Sequence, residues 1–239
     1  MKAILVGSGS IWSCRNSACG LLEEHILLDI PNGTCRALRR MGRRPDAVTH
    51  LFLTHLHGDH CFDLPFWVLE CLKFDLPKEP ITVHFAEEGI PYLKRLIREA
   101  FPATVSEEKL QRYVRWDPSE AGEAEGISFQ RFLVDHGNIA PAFGYRFEKD
   151  GVSLGFTGDS CLCPGVELLF ESCGTVVADG MLPQGNDKHM GADTLKSLAK
   201  AYPSCRIYAT HLNDDTRELL ESCPLPNLSP AEDGQELNL

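Results

Sequence analysis

The densest group of potential metal ligands lies at residues 54–60, which read Thr-His-Leu-His-Gly-Asp-His. This segment holds three imidazoles and one carboxylate within six residues, directly after an apolar stretch at 48–54 that predicts a buried strand. Crowded histidines desolvate and repel one another once they are charged, so a loop gains no stability from them. Neutral imidazole nitrogen and carboxylate oxygen suit zinc. The segment therefore predicts a metal site at the end of a strand.

Other histidines and aspartates also follow predicted strands. The arrangement of the predicted strands and helices determines whether these residues lie close to the histidine-rich segment. Apolar and alternating runs predict strands at 3–6, 18–22, 25–30, 48–54, 81–85, 129–134, 142–148, 152–157, 175–179 and 206–210. Periodicity predicts helices at 35–41, 63–73, 88–101 and 192–201. Residues 117–126 are rich in acidic residues and glycine and are predicted to be a loop. The mixture predicts one α/β domain over residues 1–239.

Composition and charge narrow the class of partner. Lysine and arginine number 23 against 34 aspartates and glutamates, which gives a net charge of −11. A protein that grips long nucleic acid usually presents a net-basic face, because phosphate neutralisation supplies most of that affinity. We therefore expect a small substrate and rank long nucleic acid below it.

The sequence also bears on location. No window approaches about 18 consecutive apolar residues, so we expect no membrane-spanning helix. Ten cysteines behind an N-terminus that does not resemble a secretory signal predict reduced thiols and a cytoplasmic protein.

The order of the motifs resembles that of the metallo-β-lactamase superfamily, over nearly the whole chain. After the histidine-rich segment come His136 at a strand end, Thr-Gly-Asp-Ser at 157–160, and His211 after another strand. The resemblance implies a four-layer αββα sandwich with two divalent metal ions at one edge, Zn²⁺ as the first choice and Mn²⁺ as the second. The implied ligands are His55, His57 and His136 for one ion, Asp59, His60 and His211 for the other, and Asp159 as the bridge.

Further features resemble the branch that contains tRNase Z and small cyclic phosphodiesterases. The opening residues 7–9, 15–17, 28–29 and 32–34 are similar to the start of that branch, and residues 231–237 to its closing strand. His189 lies 22 positions before His211, where that branch places an additional catalytic histidine. Asp179 stands where tRNase Z carries the glutamate of a His-Glu-Ala-Thr motif. The resemblance thus implies His189, Asp179 and Asp59 as catalytic residues, and it suggests a homodimer.

Leaving-group chemistry gives a separate reason for a histidine acid. A thiolate has a conjugate acid with a pKa of about 8.5 and needs little protonic help, whereas a departing alkoxide gains far more from a general acid. Two divalent ions, two aspartates and a bridging hydroxide leave a net charge of about +1, which suits a phosphodiester monoanion. We expect the bridging hydroxide to attack phosphorus in line while His189, held by Asp179, protonates the departing oxygen.

The absence of an insertion further limits the range of expected substrates. tRNase Z inserts a tRNA-gripping arm between the positions matched by His136 and Asp159, whereas only 22 residues intervene here, enough for a hairpin. The sequence therefore predicts a dinuclear phosphodiesterase for a small or short anionic phosphodiester. The alternatives are a tRNase Z-like endoribonuclease without the arm, and a thioester or lactone hydrolase on the same fold. A metal-binding protein without catalysis would be expected to lack some of the ligands.

Several weaker sequence features are interpreted as structural or are assigned no function. An arginine stripe on the first predicted helix could contact phosphates, but a solvated face is preferred; it comprises Arg36, Arg39, Arg40, Arg43 and Arg44. Two thiols that follow Asp159 are interpreted as structural rather than ligating; they are Cys161 and Cys163. Three strand histidines are assigned no partner or role, namely His25, His50 and His84, and three aromatic residues are assigned to the core, namely Phe62, Phe66 and Trp67.

Overall fold

The computed structural model describes residues 1–76 and 79–239. Within these residues the strands form two seven-stranded sheets that pack face to face, and helices cover the outer faces. Elements are numbered along the chain. No helix in the described ranges is both long and apolar enough to cross a bilayer.

The first sheet is antiparallel at one side and parallel at the other. Its order is β14-β1-β2-β3-β4-β5-β6, with β3 to β6 parallel. The strands are β1 (Ala3–Gly7), β2 (Cys19–Leu22), β3 (Ile26–Leu28), β4 (His50–Phe52), β5 (Ile81–His84), β6 (Val114–Asp117) and β14 (Gln235–Glu236). The helices between them are α1 (Thr34–Arg40), α2 (Gly58–Cys61), α3 (Leu64–Phe74), α4 (Ile90–Ala100) and α5 (Glu107–Tyr113), with 3₁₀ turns at Pro45–Ala47 and Glu87–Gly89.

The second sheet has the order β13-β12-β11-β10-β9-β8-β7, antiparallel from β7 to β10 and parallel from β10 to β13. Its strands are β7 (Ala121–Ala124), β8 (Ile127–His136), β9 (Ile139–Lys149), β10 (Val152–Phe156), β11 (Thr175–Asp179), β12 (Arg206–Thr210) and β13 (Leu228–Pro230). Its helices are α6 (Pro164–Ser172), α7 (Ala192–Ala201) and α8 (Asp214–Ser222).

Apolar side chains fill the space between the sheets. The ring of Phe52 on the first sheet meets three aromatic rings of the second at centroid distances of 4.9 Å (Phe129), 5.3 Å (Tyr145) and 5.1 Å (Phe147). A separate apolar cluster holds the helices of the second half against its sheet. The four layers confirm the predicted αββα sandwich.

The structure corrects the predicted loop at 117–126. Residues Ala121–Ala124 form the edge strand β7, which pairs antiparallel with β8. Acidic residues and glycine conceal this strand because an edge strand faces water and does not need an apolar alternation. Helices α5, α6 and α8 were not predicted either, while α7 has the predicted bounds and β14 closes the first sheet beside β1.

The topology brings the candidate donors to one edge. Strands β8, β10, β11 and β12 run in the same direction, so their carboxyl ends lie at the same side of the second sheet. His136 and Asp179 end two of these strands, and Asp159 and His211 follow the other two. His55 follows β4 of the first sheet, and its ring lies 4.9 Å from that of His136.

Candidate metal centre

The first donor cluster consists of His55, His57 and His136. The His57 Nδ1 atom lies 3.0 Å from His55 Nε2 and 3.4 Å from His136 Nε2. Three nitrogens bound tetrahedrally at zinc distances are about 3.3–3.4 Å from one another. The cluster therefore has the spacing of ligands that share one ion.

The second cluster consists of Asp59, His60, Asp159 and His211. The Asp159 Oδ2 atom lies 3.4 Å from Nε2 of both His60 and His211, while Asp59 Oδ2 lies 3.7 and 3.5 Å from the same two atoms. Both Nε2 atoms are buried without a hydrogen-bond partner in the described part of the chain. Buried polar atoms are rarely left unpaired, so the cluster fits a cation that all four groups bind.

Groups behind the clusters fix the orientation of the rings. His60 Nδ1 donates to Asp29 Oδ2 at 2.8 Å, and His136 Nδ1 donates to the carbonyl of Lys188 at 2.9 Å. Asp29 also accepts from the backbone N–H and the hydroxyl of Thr54, at 2.7 and 2.8 Å. Such partners set the tautomer that leaves Nε2 free to bind metal. Sequence reasoning treated Asp29 only as part of a similar opening segment and missed this contact.

Local backbone geometry brings Asp159 into place. Gly158 has a φ of +60°, and a Cβ there would lie 2.8 Å from the Thr54 Cβ and 2.9 Å from the Phe143 carbonyl oxygen. Only glycine fits this turn without strain. His211 also has a positive φ, of 58°, and such strain in a non-glycine residue clusters at functional sites.

The charges of the site are unbalanced without a cation. Burial lowers the pKa of His211, but Asp159, Asp179 and Asp59 together outweigh it and raise that pKa to about 10. Burial also lowers the pKa of His60, but the charges and hydrogen bonds of Asp159 and Asp29 raise it more. The pKa of His60 therefore lies well above its ordinary value. Burial and the charge of His60 hold the pKa of His55 well below its ordinary value. The carboxylates thus favour positive charge on His60 and His211, and a divalent ion would supply that charge instead.

A histidine–aspartate dyad adjoins the second cluster. His189 Nδ1 donates to Asp179 Oδ2 at 2.9 Å, and Asp179 Oδ1 lies 3.4 Å from His211 Nδ1. The Asp179 carboxylate is fully buried and accepts the backbone N–H groups of Ser160 and Met181, each at 3.1 Å. The carboxylate is therefore fixed from several sides and in turn holds His189.

The free edge of His189 faces the donor clusters. A ring nitrogen of His189 belongs to a close group with His136 and Asp159, and its ring lies 4.8 Å from that of His136. Burial lowers the pKa of His189, but the hydrogen bond and charge of Asp179 outweigh it and raise the pKa above its ordinary value. Because Nδ1 is occupied, Nε2 is the atom available to exchange a proton. The structure thus brings all nine predicted site residues into one region.

The weaker signals have mixed outcomes. Three of the five stripe arginines pair with carboxylates of this chain, in the pairs Arg39–Glu70, Arg43–Glu24 and Arg44–Asp46. In the part of the chain that the structure describes, neither Cys161 nor Cys163 belongs to a group of donors close enough for one metal ion.

Two assignments were wrong. Phe62 and Phe66 are exposed, and only Trp67 is buried. His50 and His84 do have partners: His50 Nδ1 lies 2.8 Å from His84 Nε2, and the other His84 nitrogen lies 3.1 Å from Asp117. The three side chains start or end neighbouring parallel strands, so the register places them together.

Comparison with known proteins identifies the family. The family model described as "Anti-Pycsar protein Apyc1" matches residues 1–223. The chain belongs to the Apyc1 family. The two donor clusters are consistent with the predicted site for two divalent metal ions.

The chain is also similar to ribonuclease Z and to solved structures of the same fold. Ribonuclease Z of Pyrococcus abyssi is 32% identical over 157 residues, which are 63% of this chain and 49% of that protein. The chain therefore spans about half the length of this curated relative. Two solved structures share the fold: the short form of human tRNase Z (TM-score 0.75, 18% identity, 100% of this chain and 99% of that one) and YhfI of Bacillus subtilis (TM-score 0.78, 14% identity, 99% and 98%).

Proposed function

We propose that this Apyc1-family protein is a dinuclear metal phosphodiesterase that hydrolyses a small cyclic nucleotide or a similarly short phosphodiester, with His189 as the general acid. The Apyc1 family is one of cyclic nucleotide phosphodiesterases. The observation that carries the proposal is the dyad of His189 and buried Asp179 beside two clusters of metal donors. A thioester hydrolase would have little use for such an acid, because its departing thiolate needs little protonic help.

The seven predicted ligands divide the work of metal binding. One ion would be held by His55, His57 and His136. The other would be held by Asp59, His60 and His211, and Asp159 would bind both ions. Two divalent ions held there would supply a water of lowered pKa and stabilise negative charge on the phosphoryl oxygens. Whether these ions are Zn²⁺ or Mn²⁺ is part of the test.

His189 completes the reaction from the side of the leaving group. The water first gives up a proton to solvent, and a new P–O bond forms from its oxygen while the bond to the departing alkoxide breaks. The departing oxygen takes the electron pair of the broken bond and the proton from His189 Nε2. Asp179 keeps the ring aimed and stabilises its protonated form. The product of a cyclic substrate is one phosphomonoester, because both ends of the diester belong to the same molecule.

The short segment between two predicted ligands limits the size of the substrate. The 22 residues from His136 to Asp159 are used up by β9, β10 and their turns. This leaves no room for a nucleic-acid-binding arm at that place, and the net charge of −11 disfavours a polyanion. An endoribonuclease is the second candidate, favoured by the identity to ribonuclease Z. Cleavage of precursor tRNA at a rate above that of a cyclic nucleotide would select it.

The test compares metal-loaded protein with chelated protein on 3′,5′-cyclic CMP and on bis(p-nitrophenyl) phosphate. We expect metal-dependent turnover that falls about 10²-fold or more in His189→Ala. The matched control is His25→Ala, which removes an exposed histidine whose ring contacts the carbonyl of Ala47 and which is not part of the donor clusters described above. A loss below threefold in His189→Ala, or turnover of thioesters alone by protein that holds two ions, would contradict the proposal.

A further inference from the structure

A cleft of about 620 Å³ lies between the two sheets, and residues of its wall connect to the first donor cluster through the backbone. It lies between the ends of β5 and β6 in the first sheet and strands β8 and β9 in the second. The Phe143 N–H on one wall donates to the carbonyl of Thr54 at 2.9 Å, immediately before His55. Leu133 on the same wall is three residues from His136. Six residues give the cleft its chemistry: Glu87, Glu88, Glu120, Arg131, Leu133 and Phe143.

Arg131 is the unusual member of this lining. Its side chain is only 8% exposed, and its guanidinium carbon lies 4.2 Å from the centre of the Phe143 ring. The nearest carboxylate is that of Glu120, at 3.7 Å, with a side chain that is 85% exposed. A buried arginine normally makes short hydrogen bonds to a fixed partner. Here Glu120 is a solvated side chain beyond hydrogen-bond distance, and the buried Tyr145 hydroxyl is a second polar group beside the guanidinium. The guanidinium has five N–H donors, so it keeps donors for a ligand in the cleft.

The charges around Arg131 select the kind of ligand. One arginine and the glutamates Glu87, Glu88 and Glu120 give the lining a net negative charge. A second phosphate is therefore repelled, whereas the single phosphate of a diester is attracted to the metal centre beside it. Carboxylates accept hydrogen bonds from amino groups, and the guanidinium donates to carbonyl oxygens and ring nitrogens. A neutral heterocycle that carries both kinds of group matches this lining.

The cleft also offers an apolar surface. The side chain of Leu133 is large, apolar and 69% exposed at the mouth of the cleft. An apolar side chain in this position can pack against the face of a planar ring, because every base has an apolar face in addition to its polar edge. Leu133 and Arg131 lie two residues apart on β8 and so point to the same side of the strand.

Resting on the proposed function, we infer that this cleft is the base-binding subsite of the enzyme. The phosphodiester lies at the metal donors, and the base extends along β8. Arg131 donates to its carbonyl or ring-nitrogen acceptors, a glutamate of the lining accepts from its exocyclic amino group, and Leu133 packs on its face. Arg131 and Leu133 are then residues that determine specificity for nucleotides over phosphodiesters without a base.

The experiment measures kcat and KM of the metal-loaded protein for 3′,5′-cyclic CMP and for bis(p-nitrophenyl) phosphate, which has no base edge. Arg131→Met removes the donors and keeps an apolar chain against Phe143. Leu133→Glu changes an exposed side chain, so it tests the cleft even where the Arg131 variant fails to fold. The matched control is Arg115→Met, which makes the same change at an exposed position of β6.

We expect both cleft variants to raise KM for cyclic CMP about tenfold or more, and to lower the ratio of its kcat/KM to that of the aryl diester by a similar factor. Arg115→Met should leave that ratio unchanged. A ratio that is unchanged in both cleft variants, or a wild-type enzyme that hydrolyses the aryl diester but no cyclic nucleotide, would overturn the subsite. Failure of the wild-type protein on both substrates would instead overturn the proposed function.

Discussion

The substitution Asp179→Asn keeps the size of a buried side chain and removes the charge that His189 faces. In the structure this carboxylate accepts from His189 Nδ1 at 2.9 Å and lies 3.4 Å from His211 Nδ1. An amide can still accept one hydrogen bond at that place, but it does not stabilise a protonated imidazole. The variant should therefore fold and, at saturating metal, bind both ions while its general acid is weakened.

The size of the effect follows from the bond that is lost. A hydrogen bond to a charged group contributes about 1.5–3 kcal/mol, and that range corresponds to about 10- to 150-fold in rate. We expect kcat for 3′,5′-cyclic CMP to fall within this range in protein with saturating metal. KM should change little, because Asp179 acts through His189 and has no contact with substrate.

The pH profile separates a positioning role from a structural one. Burial alone lowers the pKa of His189, and Asp179 raises it above its ordinary value. The acid works in its protonated form, so kcat falls as the pH rises through this pKa. Without the charge of Asp179 the pKa drops, and the descending limb of the profile should move to lower pH.

The assay is the pH dependence of kcat for the wild type and Asp179→Asn, with metal content measured on the same samples. Asp187→Asn is the control, because it makes the same change at an exposed position of the same loop. A descending limb at the same pH in all three proteins, with a change in kcat below threefold, would refute the role of the dyad.

Three further predictions concern metal affinity and stability. Asp29→Asn should weaken metal binding about 10- to 100-fold, because Asp29 holds the ring of His60; competition with a chromogenic chelator measures this, and an unchanged affinity would contradict it. Burial lowers the pKa of His84 from 6.5 to about 4, so the unfolded chain takes up a proton that the folded chain does not, and stability should fall as the pH drops from 6.5 to 4. His84→Gln should flatten this decline in Tm, and equal slopes would argue against it. Gly158→Ala should lower the free energy of unfolding by about 1–3 kcal/mol, because its Cβ would meet Thr54 in a left-handed backbone; a urea titration that shows no loss would refute this.

Much of the fold was predictable because the buried strands have clear patterns. Strand β11 and helix α7 lie where the apolar runs and the periodicity place them. Edge strand β7 was missed because three of its four residues are exposed, so it has no apolar alternation to detect. The short helices α5 and α8 were missed because few of their residues are buried.

Part of the candidate site was likewise predictable from the sequence, and part was not. Four of the predicted ligands stand close together in the sequence, so a metal site can be predicted there without a structure; they are His55, His57, Asp59 and His60. Contacts between distant segments are not: the bond from His60 to Asp29 depends on how the β3 and β4 ends meet. The cleft beside Arg131 was likewise invisible, because its lining comes from four separate segments of the chain. The pairing of His50 with His84 needed the strand register.

The most direct measurement is the rate of bis(p-nitrophenyl) phosphate hydrolysis as a function of bound metal per chain. Apoprotein would be titrated with Zn²⁺, and in parallel with Mn²⁺, while metal content and turnover are determined on the same samples. A dinuclear phosphodiesterase predicts that the rate rises with metal and stops rising at two ions per chain. Protein that holds two ions and hydrolyses no phosphodiester, but does hydrolyse a thioester, would contradict it.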